Sequence, residues 1–541
     1  MADGSRSSSA VRPPEEAHSA WVRWAMPSAA DLIFIALLGT LVFTPLSVRL
    51  MGDAGIGWHI RAGQQILATH AVPHVDPFSS TMAGKPWFAW EWLYDVVVGQ
   101  LEASWGLNGV AWFTGLVIAA VFAGVFRLLV ARGTNLLIAL LLTLLAMSAS
   151  TIHFLARPHV VTWLFTLTFF LILDSTEWAS RGREGIGNRW LWSLPVLMLV
   201  WVNVHGGFLL GFVLLGSFWL GSLWTWLTRK ESRIEESLEK IASGKRALQL
   251  FWIGLLSAAS TLANPYGWKL HAHIFSYLTD RFLMDHIEEF RSPDFHALAP
   301  KCFLVLLLIS VAIVIERGRA LRLSGVLLTL FAVYAGLQSA RNIPVSAILL
   351  VLIVAPLSPR LRFLGFFDGM GSVESPMRGH LWPILMTLFT LAIAANGGRA
   401  GSSQWMDTHF DPGRMPVGAV TFLGTRESHG PILSPDYWGG YLIYRLYPDA
   451  RVVVDDRHDL YGSDFLKSYL NMVHVEQGWD EFLTQHDPAY VLLPRHSALA
   501  NIIAKTTGWK SIYADEVSIV FSRAASPEIK GPERPSRSGP K

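Results

Sequence analysis

Cysteine is nearly absent from the sequence. Cys302 is the only one among 541 residues, which excludes an intrachain disulfide and a metal site built from several thiolates. The sequence also contains no Walker A pattern and no G-x-S-x-G nucleophile motif. It therefore gives no indication of ATP-driven work or of a serine hydrolase.

Charge is also scarce. Only 16% of the residues are charged, compared with about 25% in an average soluble protein. The mean hydropathy is +0.37 and 52% of the residues are hydrophobic. The net charge of +3 is too small to indicate nucleic-acid binding. These values indicate an integral membrane protein.

Apolar runs close to the spanning length of about 20 residues recur along the chain. No alternating pattern of about 10 residues suggests a β-barrel, so we expect helices. The runs predict an α-helical polytopic membrane protein with about 11 spans. The predicted spans lie near 31–50, 108–131, 134–152, 159–177, 190–206, 208–227, 249–263, 302–316, 323–339, 343–357 and 381–397.

Basic residues decide the predicted orientation of these spans. If the segment 91–106 lies on the membrane surface instead of spanning it, arginine and lysine collect in one set of loops, as expected for the cytoplasmic face. We therefore predict that 91–106 is an amphipathic surface helix. The N-terminus is then cytoplasmic, and residues 51–107 form a first loop on the outer face.

The composition becomes typical of a soluble domain after residue 398. RVVVDD, AYVLLP and SIVFS resemble strands, and helical patterns separate them. This alternation predicts a C-terminal α/β domain over 399–523, with a largely parallel sheet, on the outer side of a membrane domain over 31–398. The polar ends, residues 1–30 and 524–541, are predicted to be disordered.

The first outer loop contains the candidate catalytic residues. Asp53 follows the first span, where a partly desolvated carboxylate is a better general base than an exposed one. His59 could share that work or bind phosphate. Candidate substrate-binding residues on the same face are Arg61, Glu91, Arg157, His159, Asn203, His205 and Arg341. The arginines could hold a lipid phosphate, or could simply extend to the interface from helix ends; Asp76 is read as a cap.

Two stretches of the C-terminal domain combine acids with aromatic residues. Asp436 begins DYWGGYLIY, and Asp455, Asp456 and Arg457 follow the strand-like VVV. Ligands of open α/β sheets bind beyond the carboxyl ends of strands, and aromatic rings beside carboxylates suit a sugar. We take Asp436, Asp456 and Arg457 as candidate substrate contacts. A packed aromatic corner with a paired Asp–Arg turn is the alternative.

Metal binding receives little support from the sequence. His59, Asp53, Asp76, Glu91 and His205 could gather around a cation, but no H-E-x-x-H or similar ligand spacing occurs. We therefore assign no metal ligands, and a requirement for a divalent cation is left open.

Several motifs carry a resemblance to a known family. They are D-x(4)-WHI, VPxxDPFS and EWL in the first loop, then ARPH, NxHGG and NPYGW, and finally DYWGGYL and VVVDDRxDLYG. Together with the predicted topology, they resemble bacterial membrane proteins of GT-C-like architecture. The GT-C superfamily of membrane glycosyltransferases includes protein mannosyltransferases and the aminoarabinose transferases of lipid A. The resemblance covers nearly the whole chain.

The resemblance implies a function and a location. It implies a polyprenyl-phosphate-linked sugar as donor, a lipid or glycan acceptor whose hydroxyl attacks on the outer face of the bacterial inner membrane, and a first-loop acid as base. Asp53 matches that acid. Many relatives carry paired acids there, whereas Ala54 follows Asp53 here. The alternative is a non-catalytic protein that binds, flips or helps to export lipids or polysaccharides.

Overall fold

The computed structural model describes residues 24–179, 187–230, 232–359, 364–374, 377, 380–426 and 430–523. The predicted disordered ends fall mainly on 1–23 and 524–541, which lie outside these residues. The first part of the chain is helical. Its helices are α1 (Ala29–Phe43), α2 (Leu46–Leu50), α3 (Ile56–Thr69), α4 (Trp92–Ala131), α5 (Leu136–Ser150), α6 (His159–Ala179), α7 (Leu194–Val202), α8 (Leu209–Thr228), α9 (Ile234–Ser260), α10 (Trp268–Thr279), α11 (Arg281–His286), α12 (Leu298–Arg317), α13 (Leu323–Gln338), α14 (Ile343–Val354), α15 (Gly365–Glu374) and α16 (Leu381–Ala395).

Six helical stretches of the described chain are long and apolar enough to cross a membrane. They are Trp92–Ala131, Leu136–His153, His159–Glu177, Gly206–Thr228, Leu298–Ala320 and Ala340–Leu357. The helices α1, α13 and α16 are also apolar but shorter. The structure therefore confirms a polytopic helical architecture, while the count of about 11 spans stays a prediction.

Helix α4 is 40 residues long and breaks at Gly106, where φ is 62° and ψ is −161°. Glycine populates positive φ without the steric cost that a side chain brings. The break separates the predicted surface helix from the apolar stretch that follows it. The first part of α4 packs against α3 so closely that a Cβ on Gly63 would lie 1.8 Å from the carbonyl oxygen of Asp95.

The C-terminal domain combines short helices with two small sheets. Its elements are β1 (Arg399–Ala400), β2 (Ser403–Gln404), α17 (Val417–Gly424), β3 (Ile432–Leu433), α18 (Asp436–Leu446), α19 (His458–Val473), α20 (Trp479–His486), β4 (Tyr490–Pro494), α21 (Ala498–Ile503), β5 (Trp509–Ala514) and β6 (Ser518–Arg523). The main sheet has the order β3-β4-β6-β5.

The prediction of a largely parallel sheet is wrong. Only β3 and β4 run parallel, whereas β6 is antiparallel to both β4 and β5. A short turn joins β5 to β6, and the carboxylate of Asp515 accepts the backbone N–H groups of Val517 and Ser518 there. Such a turn returns the chain antiparallel beside the strand it has just left.

The first loop, residues 51–107, joins the main sheet at its edge. Val452 makes parallel bridges to Ile432 on one side and to Ser79 on the other. The N–H of Ser80 donates to the carbonyl oxygen of Val452 at 2.8 Å, and the hydroxyl of Thr81 donates to that of Val453 at 2.7 Å. The RVVVDD segment is thus extended between the loop and β3 and makes isolated bridges instead of a full strand.

Candidate functional site

A cavity of about 920 Å³ lies where the membrane domain, the first loop and the C-terminal domain meet. One part of its wall is apolar and comes from α8, α13 and α14, through Leu209, Leu210, Val213, Phe331 and Val345. Another part is polar and comes from all three regions, through Glu91, Asp95, Arg157, His205, Glu289, Arg341, Asp456 and Asp459.

Arg157 connects two carboxylates that are far apart in the sequence. It precedes α6, and its Nη1 donates to Oδ2 of Asp456 at 2.8 Å, while its Nε lies 3.5 Å from Oδ2 of Asp53. The other oxygen of Asp456 accepts the indole N–H of Trp58 at 3.0 Å. A Cβ on Gly55 would lie 1.5 Å from Nη1 of Arg157, so only glycine leaves room for this arrangement.

Arg157 and Asp456 differ in how strongly they hold their charge at neutral pH. Burial raises the pKa of Asp456 to about 6, against the opposing effect of the Arg157 guanidinium, and the negative charge of Asp53 raises it further. Burial alone would lower the pKa of Arg157, but Asp53 and Asp456 raise it above its ordinary value. Arg157 is therefore a permanent cation. It lies on the cavity wall together with Asp456, and Asp53 contacts it from outside that wall.

Glu91 lies between two histidines at a second polar group. Its Oε2 is 3.7 Å from Nε2 of His59, and its Oε1 is 3.7 Å from Nε2 of His205. The Nδ1 of His59 is 2.6 Å from Oδ1 of Asp95, one helical turn after Glu91, and its ring stacks on Trp58. Burial raises the pKa of Glu91 to about 7, so both protonation states are populated at neutral pH.

Arg341 extends the positive charge along the cavity. Its Nη1 donates to Oε1 of Glu289 at 2.8 Å, and its Nη2 lies 3.3 Å from Nε2 of His205. Burial would raise the pKa of Glu289, but Arg341 and other nearby cations hold it below its ordinary value. His159 lies near this group and is anchored through Nε2 to the carbonyl oxygen of His153 at 2.9 Å.

Arg457 is a buried residue of the cavity wall and connects the loop to the C-terminal domain. Its Nη1 donates to Asp76 at 2.8 Å, and its Nε and Nη2 donate to the two oxygens of Asp455 at 2.8 and 2.7 Å. The guanidinium also lies 4.7 Å from the ring centroid of Trp87, a cation–π distance. Asp76 accepts the backbone N–H groups of the two residues after Pro77, as a cap does.

Three candidate residues of the sequence lie away from the cavity. Arg61 donates from Nε and Nη2 to the carbonyl oxygen of Tyr444, so it joins α3 to α18. Asn203 accepts the indole N–H of Trp92 at 2.7 Å, and its amide donates to backbone carbonyl groups. Asp436 pairs with His458 at 2.8 Å, and the ring of His458 reaches the cavity in its place.

Aromatic rings form a further side of the cavity. Phe88 stacks on His273 with ring centroids 4.3 Å apart, and Trp90 lies 5.2 Å from the same imidazole. The Nε2 of His273 is 3.0 Å from Oδ2 of Asp459. Tyr277 also contributes to the wall. No local sequence pattern predicts that the segment containing NPYGW packs against the first loop.

The described residues do not fit a divalent cation. Among them, no three His, Cys, Asp or Glu side chains are grouped so that they could hold a metal ion. Asp53 and Asp456 both contact the Arg157 guanidinium, Asp76 contacts Arg457, and the Arg341 guanidinium lies beside Nε2 of His205. A cation at either group would be repelled by an arginine, so no chemical step is assigned to a metal.

No protein-family model and no curated protein matches the chain, but solved structures do. The Archaeoglobus fulgidus oligosaccharyltransferase tethered to an acceptor peptide aligns with 92% of this chain and 74% of its own, at 10% identity and a TM-score of 0.50. Archaeal AglB from the same organism, with an inhibitory peptide and a dolichol-phosphate, aligns with 93% and 75%, at 10% identity and 0.49. ArnT from Cupriavidus metallidurans, bound to undecaprenyl phosphate, aligns with 92% and 98%, at 13% identity and 0.46. The chain therefore shares the overall fold of the Archaeoglobus fulgidus oligosaccharyltransferase, in agreement with the GT-C-like architecture that the sequence motifs predicted.

Proposed function

We propose that this protein is a glycosyltransferase of the bacterial inner membrane. It moves a sugar from a polyprenyl-phosphate donor to a hydroxyl group of a lipid or glycan acceptor on the outer face. The cavity is the observation that carries the proposal, because its wall changes from apolar helix surface to Arg157, Arg341 and several carboxylates. A polyprenyl-phosphate sugar has the same division into an apolar chain, a charged phosphate and a polar sugar.

The phosphate of the donor is proposed to bind between the cavity arginines. Nη2 of Arg157 makes no hydrogen bond to any described residue, whereas Nη1 and Nε are held by the two carboxylates. The exposed Arg291 also lines the cavity. Guanidinium groups bind phosphate through paired, charge-assisted hydrogen bonds, and they stabilise the negative charge that remains on the phosphate when the sugar leaves.

The sugar is proposed to lie against the aromatic side of the cavity. The rings of Phe88, Trp90 and Tyr277 can cover the apolar face of a pyranose, and the carboxylate of Asp459 can accept its hydroxyl groups. Because such a wall combines apolar rings with few polar groups, it suits a small and specific ligand. The acceptor would enter from the outer face, beside the C-terminal domain.

Asp53 is proposed to act through Arg157. It contacts Nε of Arg157 at 3.5 Å from outside the cavity wall, and it thereby points the free Nη2 into the cavity. Its role as the general base, expected from the sequence, stays a prediction. The two roles differ in their pH dependence, because loss of a base removes the acidic limb of the rate profile, whereas loss of a positioning group lowers the rate at every pH.

Mass spectrometry of surface glycans in a deletion strain tests the proposal. We expect one sugar to be missing, and we expect plasmid-borne wild-type protein to restore it. Arg157→Gln should not restore the sugar, although the protein is inserted. Arg399→Gln is the matched control, because Arg399 is exposed and pairs only with Gln404. Unchanged glycans in the deletion strain, together with normal lipid composition, would overturn the proposal.

A further inference from the structure

Two imidazoles flank the carboxylate of Glu91. Burial lowers the pKa of His59 well below its ordinary value, so the ring is neutral. Its Nδ1 shares a hydrogen with Oδ1 of Asp95 across 2.6 Å. Its Nε2 faces Oε2 of Glu91 at 3.7 Å and has no hydrogen-bond partner among the described residues.

His205 is the second imidazole beside Glu91, and burial lowers its pKa well below its ordinary value. The backbone N–H of Gly207 donates to its Nδ1 at 3.1 Å, and Nη2 of Arg341 lies 3.3 Å from its Nε2. The same Nε2 lies 3.7 Å from Oε1 of Glu91.

Glu91 is consequently held on the cavity wall with each carboxylate oxygen 3.7 Å from a neutral imidazole. Among the described residues, no guanidinium contacts these oxygens, and burial raises the pKa of Glu91 to about 7, so the carboxylate can take up one proton. The other charged groups around it are Arg157, Arg341 and Asp459, and Asp95 lies one helical turn away. Asp53 and Asp456 differ from it, because both are in contact with the Arg157 guanidinium.

We infer that Glu91 is the catalytic proton acceptor for the incoming hydroxyl group, and that His59 and Asp95 position it. This role rests on the proposed glycosyl transfer. The acceptor O–H bond breaks and its proton passes to the Glu91 carboxylate, while the oxygen forms a bond to the anomeric carbon. The bond from that carbon to the phosphate oxygen breaks, and its electron pair stays on the phosphate beside Arg157.

The test compares Glu91→Gln with Glu102→Gln in membranes of the deletion strain. Glu102 is a matched control, because it lies on α4, which begins directly after Glu91, and accepts from Tyr444 at 2.8 Å but does not line the cavity. We expect Glu91→Gln to lower sugar transfer by about 10²- to 10⁴-fold, the usual contribution of a general base, and Glu102→Gln to leave it nearly unchanged. Normal levels of Glu91→Gln in the membrane would show that it folds.

Infrared spectroscopy of the purified protein supplies a readout that does not need the substrate. We expect a protonated-carboxyl band that disappears with a midpoint near pH 7, and that is absent from Glu91→Gln. His59→Gln should shift the midpoint, because it replaces one of the two imidazoles that flank the Glu91 carboxylate.

The outcomes separate the inference from the proposed function. If wild-type membranes transfer the sugar and Glu91→Gln transfers it equally well, the role of Glu91 is refuted while the proposed function stands. If Glu91→Gln keeps the carboxyl band with the midpoint near pH 7, the role is refuted as well. If the deletion strain lacks no sugar, the proposed function fails, and the role of Glu91 fails with it.

Discussion

The buried contact of Arg457 with Asp76 makes a quantitative prediction about how the first loop is attached. Arg457→Met keeps an unbranched apolar stem below Trp87 but removes the guanidinium. The change leaves Asp76 and Asp455 buried and without their cation. Removal of one partner of a buried ion pair costs about 3–5 kcal/mol, because the remaining charge is uncompensated.

The cost should fall on the junction between loop and domain. The N–H of Ser80 bonds to Val452 across that junction, so its hydrogen exchange reports local opening. A loss of about 3 kcal/mol corresponds to an increase of about a hundredfold in the exchange rate, at about 1.4 kcal/mol per factor of ten. Hydrogen-exchange mass spectrometry of peptides that contain residues 78–82 measures this rate.

A surface variant provides the comparison. Asp464→Asn removes an exposed ion pair with Lys467 at 3.3 Å, and exposed pairs contribute about 0–1 kcal/mol. It should leave exchange at the junction unchanged. If Arg457→Met accelerates exchange at Ser80 by less than about threefold, the ion pair does not hold the loop, and the reasoning is refuted.

Three further predictions concern other contacts. Gly55→Ala should lower transfer by about a hundredfold in the membrane assay, because its Cβ would displace Arg157, and misplacement by about 1 Å carries that cost. Gly57→Ala should destabilise the protein by about 1–3 kcal/mol in thermal unfolding, since its Cβ would lie 2.2 Å from the carbonyl oxygen of Gly440. Burial would raise the pKa of Asp76, but Arg457 and hydrogen bonds lower it below 3.8; its contribution to stability is therefore complete above about pH 4 and lost as the pH falls through the lowered pKa. Tryptophan fluorescence during acid titration should show this loss, and Asp76→Asn should lack it.

Much of the fold could be predicted from composition and periodicity. Apolar runs and the distribution of arginine indicate spans, and they separated 91–106 from the following apolar stretch at the position where Gly106 breaks α4. These signals are local. The direction of the C-terminal sheet is not local, since it depends on the turn at Asp515 and on the strand β5, whose residues WKSIYA show no clear alternation.

The candidate site was predictable in its parts but not in its connections. The sequence motifs mark Asp53, Arg157 and Asp456 one by one as candidate site residues. Nothing in their spacing indicates that one arginine contacts both acids. Glu91 and Asp95 are four residues apart and so share a helix face, which could have marked them as a pair. Their proximity to His59 depends on the close packing of α3 against α4 at Gly63.

The bridges from Ser79 to Val452 have a consequence for any attempt to study the C-terminal domain by itself. A polypeptide of residues 399–523 would lack the loop that covers the edge of its sheet, together with Asp76, one of the two carboxylates that neutralise Arg457. Open sheet edges recruit other chains, so we expect such a fragment to aggregate. The C-terminal domain is thus completed by residues more than 300 positions earlier in the chain, and the two parts have to be expressed together.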